Sequence, residues 1–448
     1  MESSRKRPHC QKEDLHLHLD LDLEDRISSL PDALLCYILS KIPTLWAVRT
    51  TVLAKRWNTL WTYIDTYDFD NYSMHQDFIT FGDTVFKNTN ASSIRTFRLS
   101  CFCWAHEISY LYVWVCTAIA RNVNEIDLSI RTKSPIHLPK DLFTCQTLVS
   151  LKLSSTYFLK IPEIVRFSSL KILKICHWKC LFDDDDITRL LDGTPVLEEL
   201  CLQGIVFKNL RTLLVRCFTL KRLTVSTLNP KPLKENLVHD VVIDAPGLEY
   251  LNFKDCNSNG LELKPLPVIT YANVCFFGFD DGVFEFLSKV TNVKHLLLFP
   301  KAGMPVVGVP EVLPMLHNLT HLEVQIIDNW ELVSSILECS PSLQVLKCEK
   351  VMRCSINRHQ GHPASTCEWH PPVDVPTCLS CLTRIEIRVN GCDNEMKVVK
   401  YLLKNAMALK RMVIGRSTNF VKKLEPRILK ELLRFSRGSV TCEVEFES

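Results

Sequence analysis

A six-residue pattern, apolar-x-x-apolar-x-apolar, recurs along most of the chain. Its last positions alternate between apolar and polar side chains, as in Leu251-Asn252-Phe253, and this alternation predicts a short β-strand. Most copies follow one another after about 22 to 29 residues, a spacing typical of repeats that stack side by side. The copies begin at Ile94, Val123, Leu148, Leu170, Leu197, Leu220, Leu248, Val293, Leu319, Leu343, Leu382 and Leu409.

Helical stretches precede many of the predicted strands. Residues Trp330–Glu338 and Tyr112–Ala120 have helical periodicity, and each leads through a turn into a copy of the pattern. A unit of one helix and one strand cannot bury its apolar face alone, so the units are expected to stack around a continuous core. The predicted fold class is α/β, with an irregular leucine-rich-repeat solenoid over residues 90–350.

Two places depart from the regular spacing. Residues 210–215 fit the pattern but lie only ten residues before Leu220, so we expect them to be helical. The step from Leu248 to Val293 is long and contains two proline-rich turns, which indicates one distorted repeat.

Residues 25–61 predict three short amphipathic helices ahead of the repeats. Leu30, Leu34, Ile38 and Ile42 recur every fourth residue and give the first helix a wide apolar stripe. Ser29 and Asp32 have capping-box spacing, and Thr44 is placed to cap the second helix. This short segment carries more apolar residues than it can hide by itself, so we expect it to dock on a partner.

The same segment resembles the F-box of plant proteins. The resemblance rests on the blocks D-R-I-S-x-L-P-D-x-L-L-x-x-I-L-S, A-V-x-T and K-R-W-x-x-L-W, and the sequence departs from the family at Leu45-Trp46, Thr51 and Ala54. The resemblance implies binding to a Skp-type adaptor and, through it, to cullin. The residues expected to anchor the adaptor are Leu30, Pro31, Leu34, Leu35, Ile38, Leu39, Val48, Leu53, Trp57, Leu60 and Trp61.

The C-terminal region begins after a break in the repeats. Residues 351–372 are polar and predict a loop, and beyond them a strand at Leu382, a helix over Glu395–Asn405 and a strand at Leu409 repeat the solenoid unit. A second helix over Pro426–Arg437 and a last strand over Val440–Phe446 follow. This block resembles the FBD domain of plant F-box proteins through Trp369, Pro372, the segment 375–379 and the segment 398–406. The expected domains are a disordered tail (1–24), an F-box (25–68), the solenoid (90–350), the loop (351–372) and an FBD domain (373–448).

Composition removes several classes of function. The chain has 448 residues and a formal net charge of +3, which argues against binding to nucleic acid or a membrane surface through bulk charge. No apolar run approaches the roughly 18 residues of a membrane helix. Residues 1–20 lack the apolar core of a signal peptide, so we expect a protein that is not secreted, in the cytoplasm, the nucleus or both. The 20 cysteines are then expected to be reduced.

Two clusters along the chain contain residue types that bind metal ions. A loop rich in zinc-binding residue types contains one pair with ligand spacing, Cys378-x-x-Cys381, whereas structural zinc sites normally show two tight pairs, so no metal is expected. The cluster consists of Cys354, His359, His362, Cys367, His370, Cys378 and Cys381. The acidic run Asp183–Asp186 is better explained as the start of a helix, whose dipole favours negative charge there. No nucleotide-binding, hydrolase or metalloprotease motif is present, so neither a cofactor nor intrinsic catalysis is expected.

The predicted function is substrate recognition in an SCF-type ubiquitin ligase, and this follows from the resemblance together with the repeats. The alternative is a protein-binding solenoid that acts outside a cullin complex. The target protein is expected on the exposed positions of the strands, whose charges are mixed. These positions are Lys152, Glu249, Asn252, His321, Glu323 and Lys347.

Overall fold

The structure is a computed structural model that describes most of the chain. It covers residues 27–447 except 28, 72–76, 105, 134–136, 156–160, 178–180, 183, 208–210, 228–238, 256–257, 277–281, 301–312, 327–329, 351–368, 373, 392, 418–419 and 421. The predicted tail (1–24) and most of the predicted loop (351–372) therefore lie outside the described residues.

Helices and strands alternate along much of the described chain. The helices are α1 Asp32–Leu39, α2 Thr44–Arg49, α3 Trp57–Leu60, α4 Phe78–Asn88, α5 Ile108–Ala120, α6 Asp184–Asp192, α7 Gly282–Lys289, α8 Trp330–Glu338, α9 Asp393–Asn405 and α10 Glu425–Leu432. The strands are β1 Thr66–Asp70, β2 Thr96–Phe102, β3 Glu125–Arg131, β4 Ser150–Ser155, β5 Ile172–His177, β6 Leu181–Phe182, β7 Glu199–Phe207, β8 Thr212–Arg216, β9 Arg222–Thr227, β10 His239–Asp244, β11 Tyr250–Lys254, β12 Ser258–Leu263, β13 Tyr271–Phe276, β14 His295–Pro300, β15 His321–Ile326, β16 Val345–Lys350, β17 Arg384–Val389, β18 Arg411–Arg416 and β19 Glu443–Glu447.

One long parallel sheet runs through the described part of the chain. Its strand order is β1-β2-β3-β4-β5-β7-β9-β11-β13-β14-β15-β16-β17-β18-β19, with β6 paired to β7. Each copy of the sequence pattern begins two residues before one of these strands, so the predicted strands are observed. The inward positions of neighbouring strands are in register, as in Leu223, Leu251 and Ala272, and they build one continuous apolar core.

A second, smaller sheet corrects one prediction. Residues 212–216 form β8 rather than a helix, and β8 pairs in parallel with β10, which pairs with β12. The reason is local, because Leu213 and Val215 are buried whereas Leu214 between them is exposed, which is the two-residue period of a strand. The prediction of one helix and one strand per unit is therefore wrong for the repeats of β9, β11 and β13, each of which is preceded by a strand of this second sheet.

The long step between Leu248 and Val293 contains a complete strand of the main sheet. This strand, β13, pairs with β11 and β14. The buried residues Ile269, which precedes the strand, and Ala272 and Val274 within it keep the spacing of the pattern, with a small residue at one position.

The N-terminal helices pack directly against the first strand. Thr44 is buried, and its hydroxyl accepts a hydrogen bond from the amide of Asp68 in β1 at 2.7 Å. Thr44 is the first residue of α2 and Pro43 holds the capping position, so the predicted capping role of Thr44 is wrong. The predicted capping box of Ser29 and Asp32 is also wrong, because α1 begins at Asp32 with Pro31 at the capping position. The Asp32 carboxylate instead accepts hydrogen bonds from Arg56, whose Nε and Nη2 lie 2.8 and 2.5 Å away.

The main sheet begins at Thr66, earlier than the expected residue 90.

The C-terminal block continues the main sheet. Strands β17, β18 and β19 extend it in register, and α9 covers nearly the predicted range. Helix α10 ends at Leu432, five residues before the predicted end at Arg437. The amides of Thr383 and Arg384 donate to the carbonyl of Gln344, at 2.9 and 3.1 Å, so the block shares hydrogen bonds with the preceding repeat.

No helix in the described residues is both long enough and apolar enough to span a membrane.

Candidate binding surfaces

The N-terminal helices expose apolar side chains that their own core leaves uncovered. Leu34 and Ile38 on α1 are 50% and 42% exposed, and Leu53, after the 3-10 turn Thr50–Val52, is 64% exposed. Tyr37, one turn after Leu34, is also exposed, so one side of α1 presents three large apolar residues to solvent. We call Leu34, Tyr37, Ile38 and Leu53 the helical apolar surface. Single exposed apolar residues are common, but a group this close in sequence is typical of an interaction site.

The residues predicted to anchor the adaptor fall into two groups. Leu34, Ile38, Leu53 and Pro31 are exposed, whereas Leu30 and Val48 are half-buried against the core. The remaining five are buried inside the chain, namely Leu35, Leu39, Trp57, Leu60 and Trp61. Their side chains hold the three helices together, and their binding to an adaptor stays a prediction.

Sequence reasoning missed three exposed residues beside the predicted set. Tyr37, Trp46 and Val52 are more than half exposed. The rings of Tyr37 and Trp46 lie under the cations of Lys41 and Arg49, at 4.6 and 4.7 Å. The i+3 spacing of Tyr37 from Leu34 was the available signal.

A second candidate surface is the outer strand face, by which we mean the side chains of the main sheet that point away from the core. Each strand contributes alternate residues to this face, and strand register arranges them in rows. Lys152, Asn252, Glu323 and Lys347 occupy one row, in which Asn252 pairs with Thr224 and Asn273, and Glu323 pairs with Leu297 and Lys347. His321 lies in the neighbouring row.

Glu249 does not belong to the outer strand face. It precedes β11, and its carbonyl accepts hydrogen bonds from the amides of Thr270 and Tyr271 at 2.9 and 3.1 Å. The next residue, Tyr250, lies on the outer strand face instead, in the same row as His321. Of the two positions between Leu248 and Leu251 in the pattern, only Tyr250 lies in the strand.

Five side chains stack along the middle of the outer strand face. They lie at matched positions of β9, β11, β13, β14 and β15, and we call them the stacked row: Arg222, Tyr250, Tyr271, His295 and His321. The Arg222 guanidinium lies 4.2 Å from the centre of the Tyr250 ring, and the two tyrosine rings are parallel at 4.6 Å. The two imidazoles stack at 4.4 Å, and Tyr271 and His295 are 6.4 Å apart.

Burial and neighbouring charges shift the pKa values of groups in and beside the stacked row. Partial burial, the neighbouring His295 and the Lys347 ammonium lower the pKa of His321, so its imidazole is neutral near pH 7. Burial and the nearby Tyr250 raise the pKa of Tyr271. Burial and the carboxylate of Glu349 raise the pKa of Glu323 on the adjacent row. These groups therefore present neutral hydrogen-bonding edges beside a partly buried carboxyl group.

On each flank of the outer strand face, opposite charges on neighbouring strands form ion pairs. Lys152 lies 3.8 Å from Asp127, and Lys174 lies 2.7 Å from Glu199. On the other flank Lys347 lies 3.0 Å from Glu386. Such exposed pairs add little stability, but they neutralise the surface on which they lie.

The clusters suspected of metal chemistry give no site in the described residues. Cys354, His359, His362 and Cys367 lie outside those residues, and no group of three or more metal-ligating side chains occurs in the part that is described. Burial raises the pKa of Cys378 to about 12, whereas Cys381 is exposed. Residues Asp184–Asp186 of the acidic run lie in the first turn of α6, as expected.

One thiol on the outer strand face is unusually acidic. A hydrogen bond with Cys201 lowers the pKa of Cys176 to about 7 against the opposing effect of burial, and the Lys174 ammonium adds to the lowering. A lowered pKa increases the thiolate fraction, which is the reactive form.

Two family models match the chain. One, described as the leucine-rich repeats of an FBD-associated F-box protein, matches residues 111–279, and the other, described as FBD, matches residues 370–414. Neither of these two matches includes the N-terminal helices.

Relatives from Arabidopsis thaliana align with nearly the whole chain. F-box/LRR-repeat protein 13 is 31% identical over 94% of this chain and 96% of its own length. A putative FBD-associated F-box protein is 31% identical over 94% of this chain and 99% of its own length. An F-box/FBD/LRR-repeat protein is 32% identical over 95% and 94%.

Proposed function

The chain belongs to the plant family of F-box proteins that carry leucine-rich repeats and an FBD domain, and on that premise we propose that it is the substrate-recognition subunit of an SCF-type ubiquitin ligase. Its N-terminal helices dock a Skp-type adaptor, which links the chain to cullin. The outer strand face holds the protein that is to be ubiquitinated.

The helical apolar surface is the observation that supports this proposal most directly. The buried residues Leu35, Leu39, Trp57, Leu60 and Trp61 already fill the core of the N-terminal helices. Because that core is complete, the exposed leucines and isoleucine contribute little to folding and are available to a partner. Large apolar side chains near the centre of an interface supply most of the affinity of protein complexes.

The proposed contribution of the chain to ubiquitination is positioning. Helices and repeats are joined firmly, through the Thr44–Asp68 hydrogen bond and the shared core. A target on the outer strand face is therefore held in a fixed relation to the adaptor. Fixed placement raises the effective concentration of the target near the charged enzyme without any chemistry by this chain.

The alternative is a solenoid that binds proteins outside a cullin complex. It uses the same outer strand face, and the two functions differ in whether cullin is present in the assembly. An enzyme is the third class, and Cys176 is the residue at which it is most readily tested.

A pull-down of the full chain tests the proposal. Leu34→Asp combined with Leu53→Asp is expected to lower capture of the Skp-type adaptor and cullin at least about tenfold, because charges replace apolar contacts. Trp57 is avoided, since it is buried and its truncation is expected to unfold the helices. Asn58→Asp with Thr59→Glu is the matched control, because both residues are exposed on α3 of the same segment.

The outcomes separate the functions. Capture of adaptor and cullin by the wild type and the control, but not by the apolar-surface variant, supports the ligase subunit. Capture of the adaptor without cullin favours the alternative. Equal capture by all three proteins, or by none, overturns the proposed docking surface.

A further inference from the structure

Unpaired cations mark the centre of the outer strand face. Arg222 and Lys254 form no ion pair within the described residues, and each cation lies over an aromatic ring instead. Lys254 lies 5.2 Å from the centre of the Phe299 ring. The flanks differ, since Lys152, Lys174 and Lys347 each have a carboxylate partner on a neighbouring strand. No close carboxylate of the described residues therefore holds either cation, although the Lys254 ammonium acts on Glu323 at longer range.

The stacked row exposes ring edges rather than ring faces. Tyr250 has Arg222 over one face and Tyr271 over the other, and His295 lies between Tyr271 and His321. Since neighbours occupy the faces, a ligand meets the hydroxyl groups and imidazole nitrogens at the edges. Aromatic edges carry positive partial charge, so they favour an electron-rich group.

Two side-chain amides complete the centre. Asn252 and Asn273 are neighbours in register. They follow Tyr250 and Tyr271 by two residues along β11 and β13, so they lie on the same face. Asn273 is only 6% exposed, and the Oδ1 atoms of both residues lack a hydrogen-bond partner within the described residues. Both Oδ1 atoms are covered in the free chain, and a buried acceptor without a donor is unfavourable, so a ligand N–H group that displaces the cover is stabilising there.

We propose that the outer strand face of β9, β11 and β13 is the target-binding site and that it takes an acidic segment of a protein. Aspartate or glutamate side chains of the segment pair with Arg222 and Lys254, and its backbone N–H groups donate to Asn252 and Asn273. This inference rests on the proposed function, since it assigns the class of target that the ligase subunit recognises.

A polypeptide fits this site better than other anions. A phosphate group or a nucleic-acid backbone offers acceptors to the two cations but no N–H donors along its chain for the two asparagines. A peptide offers both. Glu323 lies on β15, where the ammonium groups of Lys347 and Lys254 act on it, and its carboxyl group disfavours further acidic residues there, so the acidic part of the segment is limited to the strands around Arg222 and Lys254.

A peptide array tests the inference with the full chain bound to its Skp-type adaptor. The array holds ten-residue peptides with matched neutral, acidic, basic and phosphoserine-containing members. The wild type is expected to enrich acidic members at least about tenfold over neutral ones. Arg222→Glu with Lys254→Glu is expected to abolish that enrichment and to favour basic members. Lys152→Glu with Lys174→Glu, which changes net charge equally on the ion-paired flank, is expected to keep the acidic preference.

A second variant tests the asparagines. Asn273→Leu removes the amide at similar volume and is expected to weaken acidic peptides at least about fivefold while the preference for acid persists. Equal loss of acidic preference in the two charge-reversal variants, a wild-type preference for phosphoserine over aspartate and glutamate, or no acidic preference overturns the inference. Adaptor capture is measured on every variant. If the adaptor is captured and the peptide preference fails, only this inference fails, whereas loss of adaptor capture by the wild type contradicts the proposed function.

Discussion

Gly82 on α4 is a single residue whose missing side chain makes room for the largest ring in the core. Trp114 of α5 lies against it, is 1% exposed and donates a hydrogen bond from Nε1 to Asp83 at 2.8 Å. The rings of Phe69 and Phe78 lie 5.6 Å from the Trp114 ring, so the indole has no space into which to retreat. A Cβ at position 82 overlaps the six-membered ring of Trp114.

The Gly82→Ala substitution is therefore expected to destabilise the protein. Overpacking costs about 1–3 kcal/mol, and the better helix propensity of alanine returns about 1 kcal/mol at most. Urea unfolding of the two proteins measures the difference. Gly260→Ala is the control, because the added Cβ meets only Asp240 Oδ1 at 3.6 Å, and a change within about 0.5 kcal/mol is expected. Equal midpoints for the Gly82 variant and the wild type contradict the packing argument.

At this scale the sequence predicts burial better than exposure. The apolar pattern identifies inward residues such as Leu251 correctly, because alternation is a property of every strand. It places Glu249 on the outer strand face and omits Tyr250, since the pattern does not show where the turn ends. It also treats Trp57 and Leu34 alike, although only Leu34 is exposed. Which side of a short helix is covered depends on the neighbouring element, and this information is absent from the local sequence.

At the scale of elements, Thr44 makes one of the hydrogen bonds that join the N-terminal helices to the solenoid. The hydroxyl of Thr44 in α2 accepts from the amide of Asp68 in β1, on the edge of the main sheet. Thr44 is fully buried and Asp68 partly so, which limits the access of this amide to water as an alternative partner.

The Thr44→Val substitution keeps the shape of the side chain and removes the acceptor. We expect a loss of about 1–3 kcal/mol, the cost of leaving a buried donor unsatisfied. Urea unfolding gives the value, and Thr44→Ser, which keeps the hydroxyl, is expected to be less destabilised. If serine is as damaging as valine, the methyl group rather than the hydrogen bond accounts for the effect.

Elements with a strong period were predicted from sequence, and elements that depend on a distant partner were not. Helix α8 has the predicted bounds because its periodicity is local. Strand β8 was expected to be helical, because its partner β10 is remote in sequence and only this pairing distinguishes the two structures. Strand β13 has alanine at a core position, so its copy of the pattern is weak.

At the scale of the molecule, the main sheet crosses the predicted border between the solenoid and the FBD domain without a break. Strand β16 pairs in parallel with β17, and Leu346 lies beside Ile385 in the shared core. Helix α8 and the C-terminal block enclose a small apolar space lined by residues of both, among them Trp330, Trp369 and Tyr401. The two regions thus share a core and a hydrogen-bond ladder.

A chain that ends at Lys350 is therefore expected to be unstable. The truncation leaves β16 as an exposed edge and uncovers the apolar face of α8, both of which promote aggregation. Size-exclusion chromatography with light scattering is expected to show large assemblies for the truncated chain and a single species for the full chain. A monomeric truncated chain with an unchanged urea midpoint contradicts this view and marks the C-terminal block as a separate domain.

The alternation of inward and outward residues along each strand has an evolutionary consequence. Codons for residues that stabilise the core alternate with codons for residues of the outer strand face, rather than lying in separate segments of the gene. A mutation such as one at Asn252 or Lys254 alters the outer strand face, while Leu251 and Phe253 keep the core intact. Duplicated genes for this architecture can therefore diverge in specificity one codon at a time, without first losing a stable protein.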